Sequence, residues 1–244
     1  MSKSDSNLPT PGWRVLHSHG PIEKLAENLW RVEGALPNMS LRRVMTVVRM
    51  HDGALVIHSA IALEERAMQE LEAFGTPTFL IIPNRGHRLD AAAYKARYPA
   101  LRVYTPKGGR DKVEQVVRVD GGYEDFPQAE DVRLEMLHGV GDGEGAMVVQ
   151  SRDGVTVVLN DAVMNMDTKR DVLGYLFTTL MGSAPGPRVS RLARLLFIKD
   201  KAALRQDLQR YARTPKLVRL IVAHEKVASG PAAARALHQA ATYL

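Results

Sequence analysis

A histidine and a serine, two residue types that often do chemistry, stand side by side at the end of an apolar run. His58 and Ser59 follow the segment 54–57, which is made of Ala, Leu, Val and Ile. A hydroxyl beside an imidazole could supply a nucleophile and its base. Successive side chains on a strand point to opposite faces, however, so the two groups would not meet. The pattern favours a buried histidine over a catalytic pair.

A second candidate is the segment 139–145, which has a glycine at every other position. Glycine-rich loops that bind phosphate carry a lysine and lead into a helix. This segment carries Asp142 and Glu144 instead and leads into the strand-like run 146–150. We therefore expect no phosphate site there.

Composition excludes several other chemistries. The chain has 244 residues and no cysteine, which excludes disulfides, iron–sulfur clusters, thiolate metal sites and a cysteine nucleophile. Hydrophobic residues make up 45% and charged residues 25% of the chain, which is typical of a globular protein. No apolar run is long enough to cross a bilayer, and residues 1–11 lack an apolar signal core. We therefore expect a cytoplasmic protein.

Charge is distributed unevenly along the chain. Residues 165–244 hold 14 basic and 5 acidic residues, whereas the whole chain has a net charge of +6. A basic third of this kind is typical of an anionic partner or, more commonly, of surface helices with solvated arginines. Nucleic acid is a weak candidate partner, because aromatic residues are only 6% of the chain and no known nucleic-acid module is present.

The apolar pattern predicts the elements that must position these groups. Residues 1–24 read as a polar tail, and residues 25–244 read as a single domain whose basic C-terminal third is helical. Runs that alternate apolar and polar residues, and short runs that are wholly apolar, predict strands. Apolar residues that recur every 3.6 positions predict helices. The predicted strands are 28–33, 43–50, 54–59, 78–82, 101–105, 114–119, 132–137, 146–150, 155–160 and 217–223. The predicted helices are 63–74, 89–97, 167–181, 188–198, 201–213 and one that begins near 231. Two sheets packed face to face with helices outside would satisfy this order.

Four segments together carry a resemblance to a known family. They are 44–59, which reads as a hairpin with Asp52-Gly53 at its turn, and the strand ends 78–84, 157–161 and 220–224. In this order they resemble the metallo-β-lactamase superfamily, and within it a divergent bacterial branch of unknown function. The resemblance implies an α+β fold, a four-layer αβ/βα sandwich.

The resemblance also shows where this chain departs from the family. The family has a His-x-His-x-Asp-His run after the strand that ends near 82, but this chain has Asn84-Arg85-Gly86-His87-Arg88-Leu89. A later histidine of the family is replaced by Asp142. Only Asp161 and His224 match the family's ligands outright, so we expect no two-metal site.

Two interpretations of the remaining polar cluster stay open. In the first, His87, Asp142, Asp161 and His224 bind one zinc, iron or manganese ion, provided that the two nearby arginines point away. Asp161 and His224 would then be the catalytic residues of a hydrolase of unknown substrate.

In the second interpretation, which we favour, no metal binds. The guanidinium of Arg85 or Arg88 pairs with Asp161 and Asp142 instead. The protein would then be non-catalytic and would bind an anionic or hydroxylated small molecule. The expected contacts of that ligand are Asn84, Arg85, Arg88 and His58.

The segment 188–199 has a further possible role. Arg188, Arg191 and Arg194 lie on one side of the predicted helix, and its apolar sector is wider than one core contact requires. Such a helix could lie on a membrane surface. We prefer a second subunit, which predicts a homodimer formed through residues 188–199.

Overall fold

A computed structural model describes residues 13–244. Two β-sheets pack face to face, and helices cover the outer face of each sheet. No helix in this part of the chain has the length and apolar content needed to cross a membrane.

The first sheet is formed by residues before 105. Its strands, in spatial order, are β1 (Glu23–Ala26), β2 (Leu29–Leu36), β3 (Met39–Arg49), β4 (Ala54–His58), β5 (Thr76–Ile81) and β6 (Arg102–Tyr104). Neighbours from β1 to β4 are antiparallel, and β4, β5 and β6 are parallel. The parallel pairs need crossover connections, which contain helices α1 (Glu65–Phe74) and α2 (Ala91–Arg97).

The second sheet is formed by residues after 131. Its spatial order is β11 (Ala228–Ser229), β10 (Leu217–Ile221), β9 (Gly154–Val158), β8 (Gly145–Ser151) and β7 (Val132–Met136). Only β9 and β10 are parallel. The long connection between them contains α4 (Val172–Tyr175), α5 (Arg191–Leu196) and α6 (Lys201–Ala212), and α7 (Pro231–Ala241) follows β11.

Three apolar layers hold the elements together. Met68 of α1 and Tyr94 of α2 pack under the first sheet, and Leu204 of α6 and Leu237 of α7 pack under the second. Between the sheets lies a layer that contains side chains such as Phe79. Each strand of the centre is covered on both faces, which explains the continuous apolar runs in the sequence. The predicted four-layer αβ/βα sandwich is confirmed.

Shorter elements connect the layers. They are a 3₁₀ turn (Lys107–Gly109), α3 (Arg110–Val113) and a π-helical turn (Leu176–Leu180) that continues α4.

Three predicted elements are wrong or too long. Residues 114–119 form no strand, because the backbone continues a helical turn in which the Glu114 N–H donates to the Arg110 carbonyl. The predicted helix 167–181 begins only at α4, where the Asp171 carboxylate caps the first turn. The predicted helix 188–198 is reduced to α5, because Arg188 pairs in an extended bridge with Met164.

The predicted polar tail is packed where the structure describes it. Residues 1–12 of that tail lie outside the described residues. The indole Nε1–H of Trp13 donates to the Leu63 carbonyl at 2.9 Å, and the ring packs edge-on against Tyr94. His19 Nε2 accepts from the Glu64 N–H at 2.8 Å. Burial of the Trp13 ring explains why this segment is held against the domain.

Candidate functional site

His87, Asp161 and His224 come together at one end of the two sheets. Asp161 lies just after β9, His224 just after β10, and His87 in the loop that follows β5. One imidazole nitrogen from each histidine and one carboxylate oxygen lie within 4.8 Å of one another. The ends of parallel strands meet at the same sheet edge, which explains how residues far apart in sequence form this group.

His224 is fixed by a hydrogen bond from its far nitrogen. Its Nδ1–H donates to the Arg42 carbonyl of β3 at 2.8 Å, and the neighbouring Ala223 carbonyl accepts from the Val44 N–H at 2.8 Å. A carbonyl can only accept, so Nδ1 carries the proton, and in the neutral ring Nε2 has a bare lone pair. That Nε2 lies 3.4 Å from the Asp161 carboxylate.

His87 is oriented in a similar way. Its Nδ1 lies 2.8 Å from the hydroxyl of Ser59, and its Nε2 lies 3.3 Å from the Asp161 carboxylate. Ser59 follows β4 directly and has a left-handed backbone with φ of 58°. This turn brings the hydroxyl to His87, so both imidazoles are held at Nδ1 and present Nε2 to the same carboxylate.

Asp161 receives one further hydrogen bond. The Asn84 side-chain amide donates to it at 2.8 Å, and the Asn84 side-chain oxygen accepts from the Gly86 N–H at 2.8 Å, which fixes the orientation of the amide. Burial alone would raise the pKa of Asp161. The charge of His87 and hydrogen bonds from His224 and His87 outweigh that effect and hold the pKa well below its usual range.

Glu144 is a site residue that sequence reasoning missed. Its buried carboxyl accepts from the backbone N–H groups of Asn160 and Ala162, at 3.0 and 3.1 Å, and so fixes the two residues that flank Asp161. Burial and the charge of Asp161 raise the pKa of Glu144 to about 8, although these backbone bonds act in the opposite direction. The sequence signal that could have identified Glu144 is its position immediately before the apolar run that forms β8.

Asp142 does not join the cluster. It lies exposed in the loop before β8, with a left-handed backbone, and its backbone carbonyl accepts from the Gly108 N–H at 2.8 Å. The loop thus directs Glu144 inward and leaves Asp142 at the surface. The predicted four-residue ligand set is corrected to three residues within the described part of the chain.

The two arginines of the loop point away from Asp161. The Arg88 guanidinium donates to the Lys112 carbonyl, and the Arg85 guanidinium stacks over the Phe197 ring at 5.3 Å from its centroid. Among the described residues, the side chains that contact the Asp161 carboxylate are the two imidazoles and the Asn84 amide. The second interpretation predicted that Arg85 or Arg88 pairs with Asp161 in the place of a metal ion, and this ion pair is not found.

His58 is a core residue and contacts neither cavity of the site. It is 2% exposed, and its Nε2 has no hydrogen-bond partner among the described residues. The sequence favoured a buried histidine here, and the structure places it so. The additional expectation that His58 contacts a ligand gains no support from the two cavities, because His58 lines neither of them.

Two cavities meet at Asp161. One has a volume of about 320 Å³ and is lined by His87, His224, Ser59 and mainly apolar side chains. The other has a volume of about 300 Å³ and is lined by Asn84, Glu144, Arg85 and Lys199, with several glycines and with apolar side chains such as Leu196 and Ile198. Phe197 and Ala193 line both cavities, so the segment around α5 covers the site.

The distances from Asp161 to the two histidines suit a shared divalent cation, and the three ligand atoms all lie within 4.8 Å of one another. Tetrahedral ligands about 2.1 Å from zinc are roughly 3.4 Å apart, and the Nε2-to-carboxylate separations are 3.3 and 3.4 Å. Two neutral imidazoles and one carboxylate are ligands that zinc, iron and manganese accept. Both Nδ1 atoms already have partners, as is usual for metal-binding histidines.

The comparisons with known proteins agree with this architecture. Two crystal structures of DIM-1 metallo-β-lactamase, one of them exposed to ceftazidime, match at TM-scores of 0.60 and 0.59 with 12% sequence identity. The matches cover 92% and 91% of this chain and 99% and 95% of the respective crystal chains. By sequence, no protein-family profile and no curated protein matches the chain. At this identity the likeness carries the fold alone: the chain has the metallo-β-lactamase fold.

Proposed function

We propose that the protein is a hydrolase with one metal ion, held by His87, Asp161 and His224. The observation that carries the proposal is the arrangement of the ligand atoms: the Nε2 atoms of His87 and His224 both face the Asp161 carboxylate, at 3.3 and 3.4 Å, and each Nδ1 already has a partner. An unprotonated Nε2 and a carboxylate oxygen are both acceptors, and at that distance they repel each other unless a proton or a cation lies between them. The inward-facing Nε2 of His87 supports a cation, because three ligand atoms then converge on one place.

A divalent cation would act there as a Lewis acid that activates water and polarises a carbonyl or phosphoryl oxygen. The chain's own groups would prepare the site for that chemistry. Asn84 holds one oxygen of Asp161, and Glu144 holds the backbone on both sides of it. Ser59 and the Arg42 carbonyl hold the two imidazoles. The fold does not decide the substrate, since one fold supports many reactions.

Metal content of the purified protein tests this proposal. We expect about one zinc, iron or manganese ion per chain after dialysis, and a value below about 0.2 would contradict the proposal. His224→Gln should lose the ion. The matched control is His51→Gln, because His51 also pairs with an aspartate, Asp131, at 3.0 Å, but is 75% exposed. The control variant should keep the wild-type metal content.

A metal-free binding protein remains the second candidate. The observation that favours it is the pair of cations, Arg85 and Lys199, that line the 300 Å³ cavity. Such a cavity could bind an anionic small molecule without any reaction. This candidate predicts ligand binding in protein that holds no metal and shows no hydrolysis after zinc, iron or manganese is added.

The homodimer through residues 188–199 also stays a proposal. Leu195 and Leu196 are exposed, which supports an apolar contact with a second subunit. Sedimentation of the wild type and of Leu195→Glu tests it. We expect a dimer that the variant weakens, and a monomeric wild type at all concentrations would contradict the proposal.

A further inference from the structure

We propose that the substrate is an amphipathic acyl compound, with an apolar acyl chain on one side of the scissile carbonyl and an anionic group on the other. The inference rests on the proposed function, because it places the reacting carbonyl at Asp161. It is carried by the contrast between the two cavities that meet there.

The 320 Å³ cavity is suited to a hydrocarbon chain. The apolar side chains of its wall come from five separate segments. They are Leu36, Met39, Leu41, Leu89, Met164, Phe177, Leu192 and Phe197. Arg43 also lines this cavity, but its guanidinium is already paired with the Asp90 carboxylate at 2.5 Å. A chain that displaces water from this wall gains the ordinary hydrophobic free energy of transfer.

The 300 Å³ cavity is suited to an anion. Arg85 and Lys199 line it, and neither forms an ion pair with a described residue. The Arg85 guanidinium lies over the Phe197 ring, 5.3 Å from its centroid, and this cation–π contact favours a position at the cavity wall. The carboxyl of Glu144 lies on the inner wall, where its Oε1 atom accepts from the backbone N–H groups of Asn160 and Ala162.

The two cavities share Gly86, Asp161, Ala193 and Phe197. A ligand that extended from one cavity into the other would pass beside these shared residues, Asp161 among them. Its central polar group then lies beside His87 and His224, which are the groups proposed to hold the metal ion. An acyl chain, a carbonyl and an anion in this order match the apolar wall, the polar centre and the cationic wall.

N-acylglycines are suitable probes because they contain these three parts in the same order. Isothermal titration with the acetyl, butanoyl, hexanoyl and octanoyl compounds would be run in EDTA and again with zinc. Each pair of added methylenes should tighten binding about fourteenfold, the equivalent of about 0.8 kcal/mol per methylene, until the cavity is full. Affinity that does not change with acyl length would overturn the apolar part of the proposal.

The neutral N-octanoylglycinamide tests the anionic part. It should bind at least tenfold more weakly than N-octanoylglycine, because a charge-assisted bond to Arg85 is lost. Arg85→Met should remove this difference. Arg118→Met is the matched control, because Arg118 is 87% exposed and does not line the cavities. Equal binding of the acid and the amide by the wild type would contradict the anionic part.

Two leucines give a matched pair for the apolar cavity. Leu192 lines it, whereas Leu180 is 61% exposed and lines neither cavity. Leu192→Gln should weaken N-octanoylglycine about tenfold and leave N-acetylglycine unchanged. Leu180→Gln should change neither. Equal effects of the two variants would show that the acyl chain does not lie in this cavity.

The two proposals can fail separately. Protein that binds metal but shows no preference for acyl length or charge would refute the substrate class and leave the metal site standing. Protein that binds N-octanoylglycine in EDTA but takes up no metal would refute the hydrolase and keep the ligand class. The titrations in EDTA do not depend on catalytic activity.

Discussion

Arg43 and Asp90 form a buried ion pair that ties together three segments around the candidate site. Arg43 lies on β3, and its guanidinium bonds the Asp90 carboxylate at 2.5 Å and the Ala60 carbonyl at 3.2 Å. The same carboxylate accepts from the Ala62 N–H at 2.9 Å. The side chains are 6% and 5% exposed. Asp90 follows His87 by three residues, so the pair also anchors the loop that carries this histidine.

Removal of one partner should be costly, because it leaves the other charge buried without compensation. We expect Arg43→Met or Asp90→Asn to lower the free energy of unfolding by about 3–5 kcal/mol. That is a large share of a typical total of about 5–15 kcal/mol. In the double variant no charge remains, so its loss should be smaller than the sum of the single losses by at least about 2 kcal/mol.

Urea unfolding of the four proteins, followed by circular dichroism, measures these terms. Arg110→Met is the matched control, because the Arg110–Glu114 pair has a short distance of 2.8 Å but is exposed on both sides. It should cost less than about 1 kcal/mol. Additive losses in the double variant, or an equal loss in the control, would refute the assignment of stability to burial of the pair.

Two further predictions concern His58 and the glycines. Burial, with a smaller effect of the charge on His87, lowers the pKa of His58 to about 3. In the unfolded chain this imidazole binds a proton as the pH is lowered below about 6.5, whereas the buried ring does not. The free energy of unfolding should therefore decrease by about 2 kcal/mol when the pH is lowered from 6.5 to 5. His58→Gln should lose this part of the slope in urea unfolding at several pH values, and an unchanged slope would contradict the buried neutral ring. Gly139→Ala should destabilise by at least about 1 kcal/mol more than Gly53→Ala. Both have positive φ, but an added Cβ would overlap the Asp200 carbonyl only at Gly139; equal thermal shifts would argue against this overlap.

The sandwich could be predicted from sequence because apolar periodicity is strong in its central strands. The hairpin turn at Asp52-Gly53 lies where the sequence indicated. The segment 114–119 could not be assigned, since Val117 and Val119 are buried in a turn that shows the same apolar pattern as a short strand. The extent of α5 depends on the pairing of Arg188 with Met164, a contact that no local pattern encodes.

Three of the four residues of the candidate site, His87, Asp161 and His224, were in the predicted ligand set, and Glu144 was not. Asp161 and His224 stand at strand ends, and a side chain at a strand end is directed by the sheet. His87 and Glu144 are placed by irregular loops, so spacing alone could not decide between Asp142 and Glu144. The direction of Arg85 and Arg88 was also hidden, because it depends on Phe197 and the Lys112 carbonyl, which are distant in sequence.

The bonds from β3 to the loop after β10 have a consequence for unfolding. The Val44–Ala223 backbone bond and the His224–Arg42 bond join the N-terminal sheet to the C-terminal one beside the candidate metal ligands. Unfolding of either the N-terminal or the C-terminal half of the chain would break these two hydrogen bonds. An ion bound there should therefore slow hydrogen exchange in both halves at once, so that the molecule melts as a single cooperative unit.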